Sequence, residues 1–245
     1  MTIALLVYAA LVVATALTVL FVDAPYGRHA RAGWGPSVSA RVGWVLMEAP
    51  SLVAAIATLA VTGAADHLVP VVLAAPFVVH YIHRALVYPL LQRSGKPMPV
   101  LVVGLGGAFT AFNATVCMAW LAQSGPRDPL WLLDPRFGLG AVLTVAGFAT
   151  HLRTDALLRR LRAPGETGYR VPQGFLFRWV SCPNYLGEIV QWCGWALMCW
   201  SPAGALFALY TMANLGPRAL AHHRWYRATF PDYPAERRAL VPFVL

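Results

Sequence analysis

The chain has 245 residues, of which 58% are hydrophobic and 12% are charged, and its formal net charge is +9. Soluble domains carry about 25% charged residues, so the composition excludes an ordinary soluble protein and indicates an integral membrane protein. The net charge alone would suit nucleic acid, but the placement of the basic residues along the chain argues against that partner.

Apolar runs follow one another along the chain at lengths close to the roughly 20 residues that a transmembrane helix needs. The first run has no charge and lacks the basic start of a signal peptide, so we expect a retained span. The pattern predicts an all-α integral membrane protein, with residues 1–245 in a single domain. Its seven spans are expected near 2–22, 42–63, 68–91, 99–122, 138–152, 183–200 and 202–217.

The basic residues predict the orientation of these spans. Sixteen of the nineteen lie on alternate connections, in the segments 23–41, 92–98, 153–178 and 218–245. Cytoplasmic loops of membrane proteins are enriched in arginine and lysine. We therefore expect the N-terminus outside and the C-terminus in the cytoplasm. The arginines of the cytoplasmic loop 153–178 could anchor the topology, bind acidic lipid or bind a polyphosphate ligand.

Polar side chains within the spans are the first candidates for function, because a charge at membrane depth is costly. Glu48 lies a few residues into the second span, and His80, Tyr81, His83 and Arg84 lie toward the cytoplasmic end of the third. One interpretation is a polar cavity that opens to the cytoplasm. The alternative is that the arginine pairs with a glutamate for assembly alone.

The sixth span and the tail carry similar groups. Asn184, Glu188 and Gln191 are spaced to share one helical face near the cytoplasmic end of the sixth span. In the tail, Arg218, His222 and Tyr226 are also spaced to share one face of a helix. Both sets are expected at the cytoplasmic side, close to the basic loops.

Two other classes of site are disfavoured by spacing. The seven histidines do not form the clustered boxes of membrane di-iron enzymes, and His222 and His223 point about 100° apart on a helix, so no metal is expected. The stretch GLGGAF at 104–109 lies within a span and has the wrong spacing for a dinucleotide fingerprint. It is more typical of close helix packing through small residues.

Several stretches together resemble the steroid 5α-reductase family. They are PYGRH at 25–29, LMEAPS at 46–51, HYIHRALVYPLL at 80–91, and nearly all of the chain from about 150 onward. The resemblance implies a seven-span membrane enzyme that uses NADPH to reduce the Δ4 double bond of a 3-oxo-Δ4-steroid. Glu48 and Tyr81 would hold the 3-carbonyl, and Trp192 would form a wall of the steroid pocket.

The resemblance also implies the cofactor contacts. They would come from Asp155, Arg162, Tyr169, Arg170, Asn184, Glu188, Arg218, His222 and Tyr226. His80, His83 and Arg84 would line the cofactor side of the third span. The sequence departs from the family at Met47, at Gln191 and at His151, which leaves the exact substrate and one cofactor contact open.

The steroid would be a small-molecule partner and membrane lipid the surroundings, with no protein partner implied. The single lysine among the basic residues suggests a GC-rich genome, hence a bacterial inner membrane, or the endoplasmic reticulum membrane if the source is eukaryotic. The alternatives are a related enzyme that reduces a polyprenyl or fatty enone or methylates an isoprenylcysteine, and a transporter.

Overall fold

A computed structural model describes residues 1–92, 95–161, 163, 166 and 168–245. In chain order the helices are α1 (Thr2–Phe21), α2 (Ala40–Val61), α3 (Leu68–Ile82), α4 (Tyr88–Leu91), α5 (Val100–Ser124), α6 (Pro135–Arg160), α7 (Pro183–Cys199) and α8 (Pro202–Thr229). Two short strands, β1 (Ser37–Val38) and β2 (Met98–Pro99), pair antiparallel with Ser37 opposite Pro99.

In the described part of the chain, four helical stretches are long and apolar enough to cross a membrane. They are Thr2–Phe21, Ala40–Val61, Leu68–Leu91 and Val100–Ser124, and each has 20 to 25 residues. Their length and composition support the membrane character of the protein. The three other predicted spans coincide with α6, α7 and α8, so the count of seven stays a prediction.

Two predicted boundaries differ from the structure. The loop expected at 153–178 is wrong for its first eight residues, because α6 continues to Arg160. The segment RTDALLRR at 153–160 is rich in residues that favour a helix, so α6 does not end where the apolar run ends. Helix α8 likewise continues to Thr229, which agrees with the expectation that the polar groups of the tail share one helical face.

A π-helical segment, His83–Val87, joins α3 to α4 in one continuous rod. Pro89 has no backbone N–H and cannot donate to the carbonyl of residue 85. At this point the N–H of Tyr88 bonds to the carbonyl of His83, five residues earlier. Such wide turns within helices occur frequently at functional sites, and this one contains Arg84.

Helices α6 and α7 approach each other through glycines on both sides. A Cβ at Gly140 would lie 2.6 Å from the carbonyl oxygen of Gly194, and a Cβ at Gly187 would lie 2.8 Å from that of Gly147. No side chain larger than hydrogen fits these positions without displacing backbone. This close contact brings His151 of α6 next to the polar face of α7.

The GLGGAF stretch packs α5 against α2. A Cβ at Gly106 would lie 2.5 Å from Cγ of Met47, and one at Gly107 would lie 3.1 Å from the carbonyl oxygen of Leu46. The prediction of close helix packing here is confirmed. The contact holds Glu48, the next residue of α2, at a fixed depth.

An aromatic cluster forms the core beneath the polar groups. Phe77 of α3 contacts Trp192 and Trp195 of α7 and Phe207 of α8, with ring centroids 5.4 to 5.9 Å apart. The indole N–H of Trp195 donates to the carbonyl of Leu73 over 2.7 Å. This buried hydrogen bond fixes α7 against α3, the helix that carries Tyr81.

Candidate active site

A cavity of about 640 Å³ lies among α2, α3, α5, α6, α7 and α8. Pockets for organic ligands usually measure about 300–1,000 Å³. Eight of the nine residues that the resemblance assigns to the cofactor line this one cavity; Arg162, the ninth, lies outside the described residues. The eight are Asp155, Tyr169, Arg170, Asn184, Glu188, Arg218, His222 and Tyr226.

Glu48 and Tyr81 line the same cavity and are both almost buried, with 8% and 4% of their surfaces exposed. Arg84 compensates the carboxylate, since its Nε lies 3.4 Å from Oε1 of Glu48. The guanidinium of Arg84 also lies over the rings of Trp44 and Tyr88, at 4.5 and 5.0 Å. The predicted pairing of arginine with glutamate is therefore present, and both partners line the cavity.

Aromatic and apolar side chains surround this part of the cavity. Phe109 and Tyr210 stack with centroids 3.6 Å apart, and Met47 and Phe207 lie on the same lining. The cavity thus combines an apolar region with a few convergent polar groups, which is typical of a site for an apolar molecule with one polar end.

His151 lies between two acidic residues of the cavity wall. Its Nε2 is 3.6 Å from Oδ2 of Asp155, and its Nδ1 is 3.7 Å from Oε2 of Glu188. Neither nitrogen reaches its carboxylate at hydrogen-bond distance, although Nδ1 is 3.4 Å from the carbonyl oxygen of Asn184. Oδ2 of Asp155 is buried and has no hydrogen-bond partner in the described chain.

Three predicted residues lie behind the wall instead of on it. His80 is buried and contacts Gln191, with its Nδ1 3.1 Å from Oε1 of the amide. Trp192 packs against both His80 and Phe207, at 4.7 and 4.4 Å. None of these three side chains lines the cavity. His83 does not line it either and packs against Phe148 with centroids 6.0 Å apart.

At the opposite end of the cavity, two histidines from distant segments form a stacked pair. Nε2 of His29 lies 2.9 Å from Nδ1 of His222, and the rings are 10° from parallel. Tyr185 contacts the other nitrogen of His222 at 3.0 Å. Burial, together with the positive charges of Arg28 and Arg218, holds the pKa of His222 well below its usual range. A neutral ring is required here, because one of the two histidines must accept the hydrogen bond.

Sequence reasoning missed the contribution of the segment 22–39 to this end. Tyr26, Gly27 and Arg28 line the cavity, and the guanidinium of Arg218 lies 4.8 Å from the ring centroid of Tyr26. The stretch PYGRH at 25–29 resembles the family, but its local pattern does not indicate which helix it meets.

The loop before α7 contributes Tyr169 and Arg170. Nη2 of Arg170 lies 2.6 Å from Oε1 of Glu166, so this arginine already has a carboxylate partner. Tyr169 packs edge-on against Trp225 with centroids 5.0 Å apart. In the described ranges, no group of three or more histidine, cysteine, aspartate or glutamate side chains is arranged to hold a metal ion.

The family model of the 3-oxo-5-alpha-steroid 4-dehydrogenases matches residues 96–245. The chain belongs to this family. It is 42% identical to the 3-oxo-5-alpha-steroid 4-dehydrogenase 1 of Bos taurus over 91% of the chain and 89% of that protein. It is 39% identical to the steroid 5-alpha-reductase DET2 of Arabidopsis thaliana, over 94% of the chain and 91% of that protein.

The human 3-oxo-5-alpha-steroid 4-dehydrogenase 2 is similar over an even larger part, with 39% identity across 96% of the chain and 94% of its own length. The names of these relatives describe oxidoreductases that act on steroids, and the resemblance noted in the sequence is confirmed at the level of the family. The relatives come from mammals and a plant, so they do not support the expectation of a bacterial inner membrane.

Proposed function

We propose that the protein reduces the Δ4 double bond of 3-oxo-Δ4-steroids to 5α-3-oxosteroids with NADPH. The observation that carries this proposal is one continuous cavity. It joins Glu48 and Tyr81 to eight of the residues that the resemblance assigns to the cofactor. Membership of the family supports the steroid class and the oxidoreductase chemistry.

The residues present fit a dinucleotide phosphate. The polar end of the cavity contains Arg28, Arg159, Arg170 and Arg218, and guanidinium groups match the geometry of phosphate oxygens. Nη1 of Arg28 and of Arg159 are buried and have no acceptor in the described chain. Together with Oδ2 of Asp155, they are partners for the phosphates and hydroxyls of such a ligand. Bound there, NADPH would supply the hydride.

Tyr81 would donate a hydrogen bond to the carbonyl oxygen of the steroid, and Glu48 would donate a second one in its protonated form, because a carboxylate can only accept. Negative charge develops on this oxygen when C5 of the conjugated ketone accepts a hydride, and a proton added at C4 then completes the reduction. A tyrosine hydroxyl that points at it can donate a hydrogen bond whose strength grows as the charge develops. Arg84 holds the carboxyl group of Glu48 in place over 3.4 Å. Removing one such donor from an enzyme typically costs about 100-fold to 1,000-fold in turnover.

The surroundings of these groups would favour the reaction. Glu48 and Tyr81 are nearly out of contact with solvent, and electrostatic interactions are stronger where water is excluded. The apolar and aromatic lining around Phe109 and Tyr210 suits a steroid ring system. His151 would act as a positioning residue, since it lies between the carboxylates of Asp155 and Glu188.

We further propose that residues 1–245 form one membrane domain of seven spans, with the N-terminus outside and the C-terminus in the cytoplasm. The four apolar helices support the first spans, and the alternation of arginine-rich connections supports the orientation. The polar end of the cavity would then face the cytoplasm, where the soluble cofactor is available.

The test is conversion of progesterone by membranes that contain the protein, with NADPH, followed by identification of the product. We expect a 5α-reduced steroid from wild type and at least a 100-fold lower rate from Tyr81→Phe and Glu48→Gln. Glu236→Gln is the matched control, because Glu236 is exposed and does not line the cavity. Cofactor binding by each variant reports whether it has folded. Wild type that binds NADPH but leaves Δ4-3-oxosteroids unchanged would contradict the proposed substrate.

A further inference from the structure

Arg28 is enclosed by three aromatic rings from two other segments of the chain. Its guanidinium carbon lies 5.5 Å from the ring centroid of Tyr169, 4.8 Å from that of Trp225 and 4.6 Å from that of Tyr226. We call these three residues the Arg28 cage. Ring faces attract cations, so the cage holds the guanidinium in one place at the edge of the cavity.

No carboxylate of the described residues compensates the charge of Arg28. Nη2 donates to the hydroxyl of Tyr226 over 3.3 Å, and Nη1 is buried without an acceptor in the part of the chain that the structure describes. Within the described ranges, no acidic side chain forms an ion pair with this arginine. A buried donor without a partner is unfavourable. An anion that enters from the cavity would supply the missing acceptor and the missing charge.

Arg159 and Arg218 also line the cavity without an ion pair in the described residues, but two other arginines of the lining differ in this respect. Arg170 contacts Glu166 at 2.6 Å, and Arg84 contacts Glu48 at 3.4 Å. Their charges are already compensated within the protein. Arg28 is thus a better candidate for binding a ligand phosphate than Arg170, although Arg170 lies in the arginine-rich loop.

The position of Arg28 along the cavity indicates which part of a dinucleotide it would meet. Phe207 of α8 contacts Phe77, which in turn contacts Tyr81, so Phe207 marks the carbonyl-binding end. Tyr226 follows nineteen residues later in the same helix, which corresponds to about 28 Å of helix at 1.5 Å per residue. Arg218 lies between the two ends. The nicotinamide must reach the steroid, so the far end would hold the adenosine half.

We propose that Arg28 binds the phosphate on the adenosine ribose, the group that distinguishes NADPH from NADH, and so sets the cofactor preference. This inference rests on the proposed function. A guanidinium presents two parallel N–H donors to phosphate oxygens. The cage holds this guanidinium at the cavity lining, and its Nη1 has no acceptor in the described residues.

The experiment compares dissociation constants of NADP⁺ and NAD⁺ for the purified protein in detergent. Arg28→Gln is expected to weaken NADP⁺ binding by about tenfold or more, because a hydrogen bond to a charged group is lost. The dissociation constant of NAD⁺ divided by that of NADP⁺ should fall by the same factor, because NAD⁺ binding should not change. Arg31→Gln is the matched control, since Arg31 is exposed in the same segment and does not line the cavity. Arg28→Lys should retain part of the preference.

Each other outcome overturns the inference. Equal weakening of NADP⁺ and NAD⁺ would place Arg28 at the pyrophosphate or in a structural role. An unchanged preference in Arg28→Gln would mean that another residue recognises the ribose phosphate, while the proposed function would stand. If wild type bound neither dinucleotide, both the inference and the proposed function would be wrong. Melting curves of all variants show whether a loss of binding reflects unfolding.

Discussion

Replacing Gly147 by alanine is expected to force α6 and α7 apart. A Cβ at this position would lie 2.3 Å from the backbone nitrogen of Gln191 and 2.6 Å from the carbonyl oxygen of Gly187. Contacts below 3.0 Å are essentially never made by real Cβ atoms. Both neighbours are backbone atoms of a helix, so no side chain can rotate away and the two helices must separate by about 0.7 Å or more.

The cost follows from overpacking of a close interface. Forcing one extra carbon into a well-packed core typically costs about 1–3 kcal/mol. For a protein of 150–250 residues, 1 kcal/mol lowers the melting temperature by about 2–4 °C. We therefore expect Gly147→Ala to melt about 2–12 °C below a Gly→Ala variant of the same helix whose Cβ meets no neighbour. The displacement would also move Glu188 relative to Asp155, which should weaken binding of the proposed cofactor.

The assay is thermal unfolding in detergent, followed by circular dichroism. Gly138→Ala in the same helix is the matched control, because a Cβ there meets nothing within 4 Å. Alanine is favoured over glycine in a helix by about 1 kcal/mol, so the control should melt at or slightly above the wild-type temperature. A Gly147→Ala protein that melts as high as Gly138→Ala would refute the reasoning about helix contact.

Two further predictions concern a hydrogen bond and a histidine pair. Trp195→Phe should lower the melting temperature, because the buried carbonyl of Leu73 loses its hydrogen-bond donor. Such a loss costs about 1–3 kcal/mol of unfolding free energy. Trp200→Phe is the control, because Trp200 is exposed. Burial and neighbouring arginines lower the pKa of both His29 and His222, so the unfolded chain binds more protons and stability falls as the pH drops below about 6.5. When the melting temperature is compared at pH 7.5 and 5.5, His29→Asn should lose less stability than wild type. His67→Asn, at an exposed histidine, should lose as much as wild type. An equal effect of both variants would exclude the histidine pair as the cause.

We propose that cofactor preference and carbonyl binding depend on opposite ends of one cavity, so variants at the two ends should have different effects. Tyr81→Phe is expected to affect the rate of reduction with little change in NADP⁺ affinity. Arg28→Gln is expected to affect NADP⁺ affinity first. If either variant altered both properties equally, the two ends would not be independent sites.

Much of the arrangement could be predicted from the sequence because it depends on local patterns. A deficit of charge and long apolar runs indicated a membrane protein, and glycines at 104–107 indicated close packing of α5. The spacing of Asn184 and Glu188 correctly placed both on a face that lines the cavity. Helical periodicity is sufficient for such statements, because it fixes which side chains of one helix point the same way.

Periodicity does not decide which neighbour a helical face will meet. His80 and Gln191 share faces with cavity residues, yet the packing of α3 against α7 pairs them behind the wall. The apolar pattern also does not show where a helix ends. The first residues of the predicted loop 153–178 are helical, because their side chains pack and their helix propensity is high.

The sequence by itself determined the class of the protein and the approximate positions of its helices, and its resemblance to a known family indicated most residues of the candidate site. Only the tertiary structure brought Arg28 and His29 to Trp225 and His222, almost 200 positions away in the chain. These contacts carry no local signal, since ring faces and imidazole nitrogens from any segment would serve equally well. Which of them meet is decided by how the helices pack and where the connecting segments can reach.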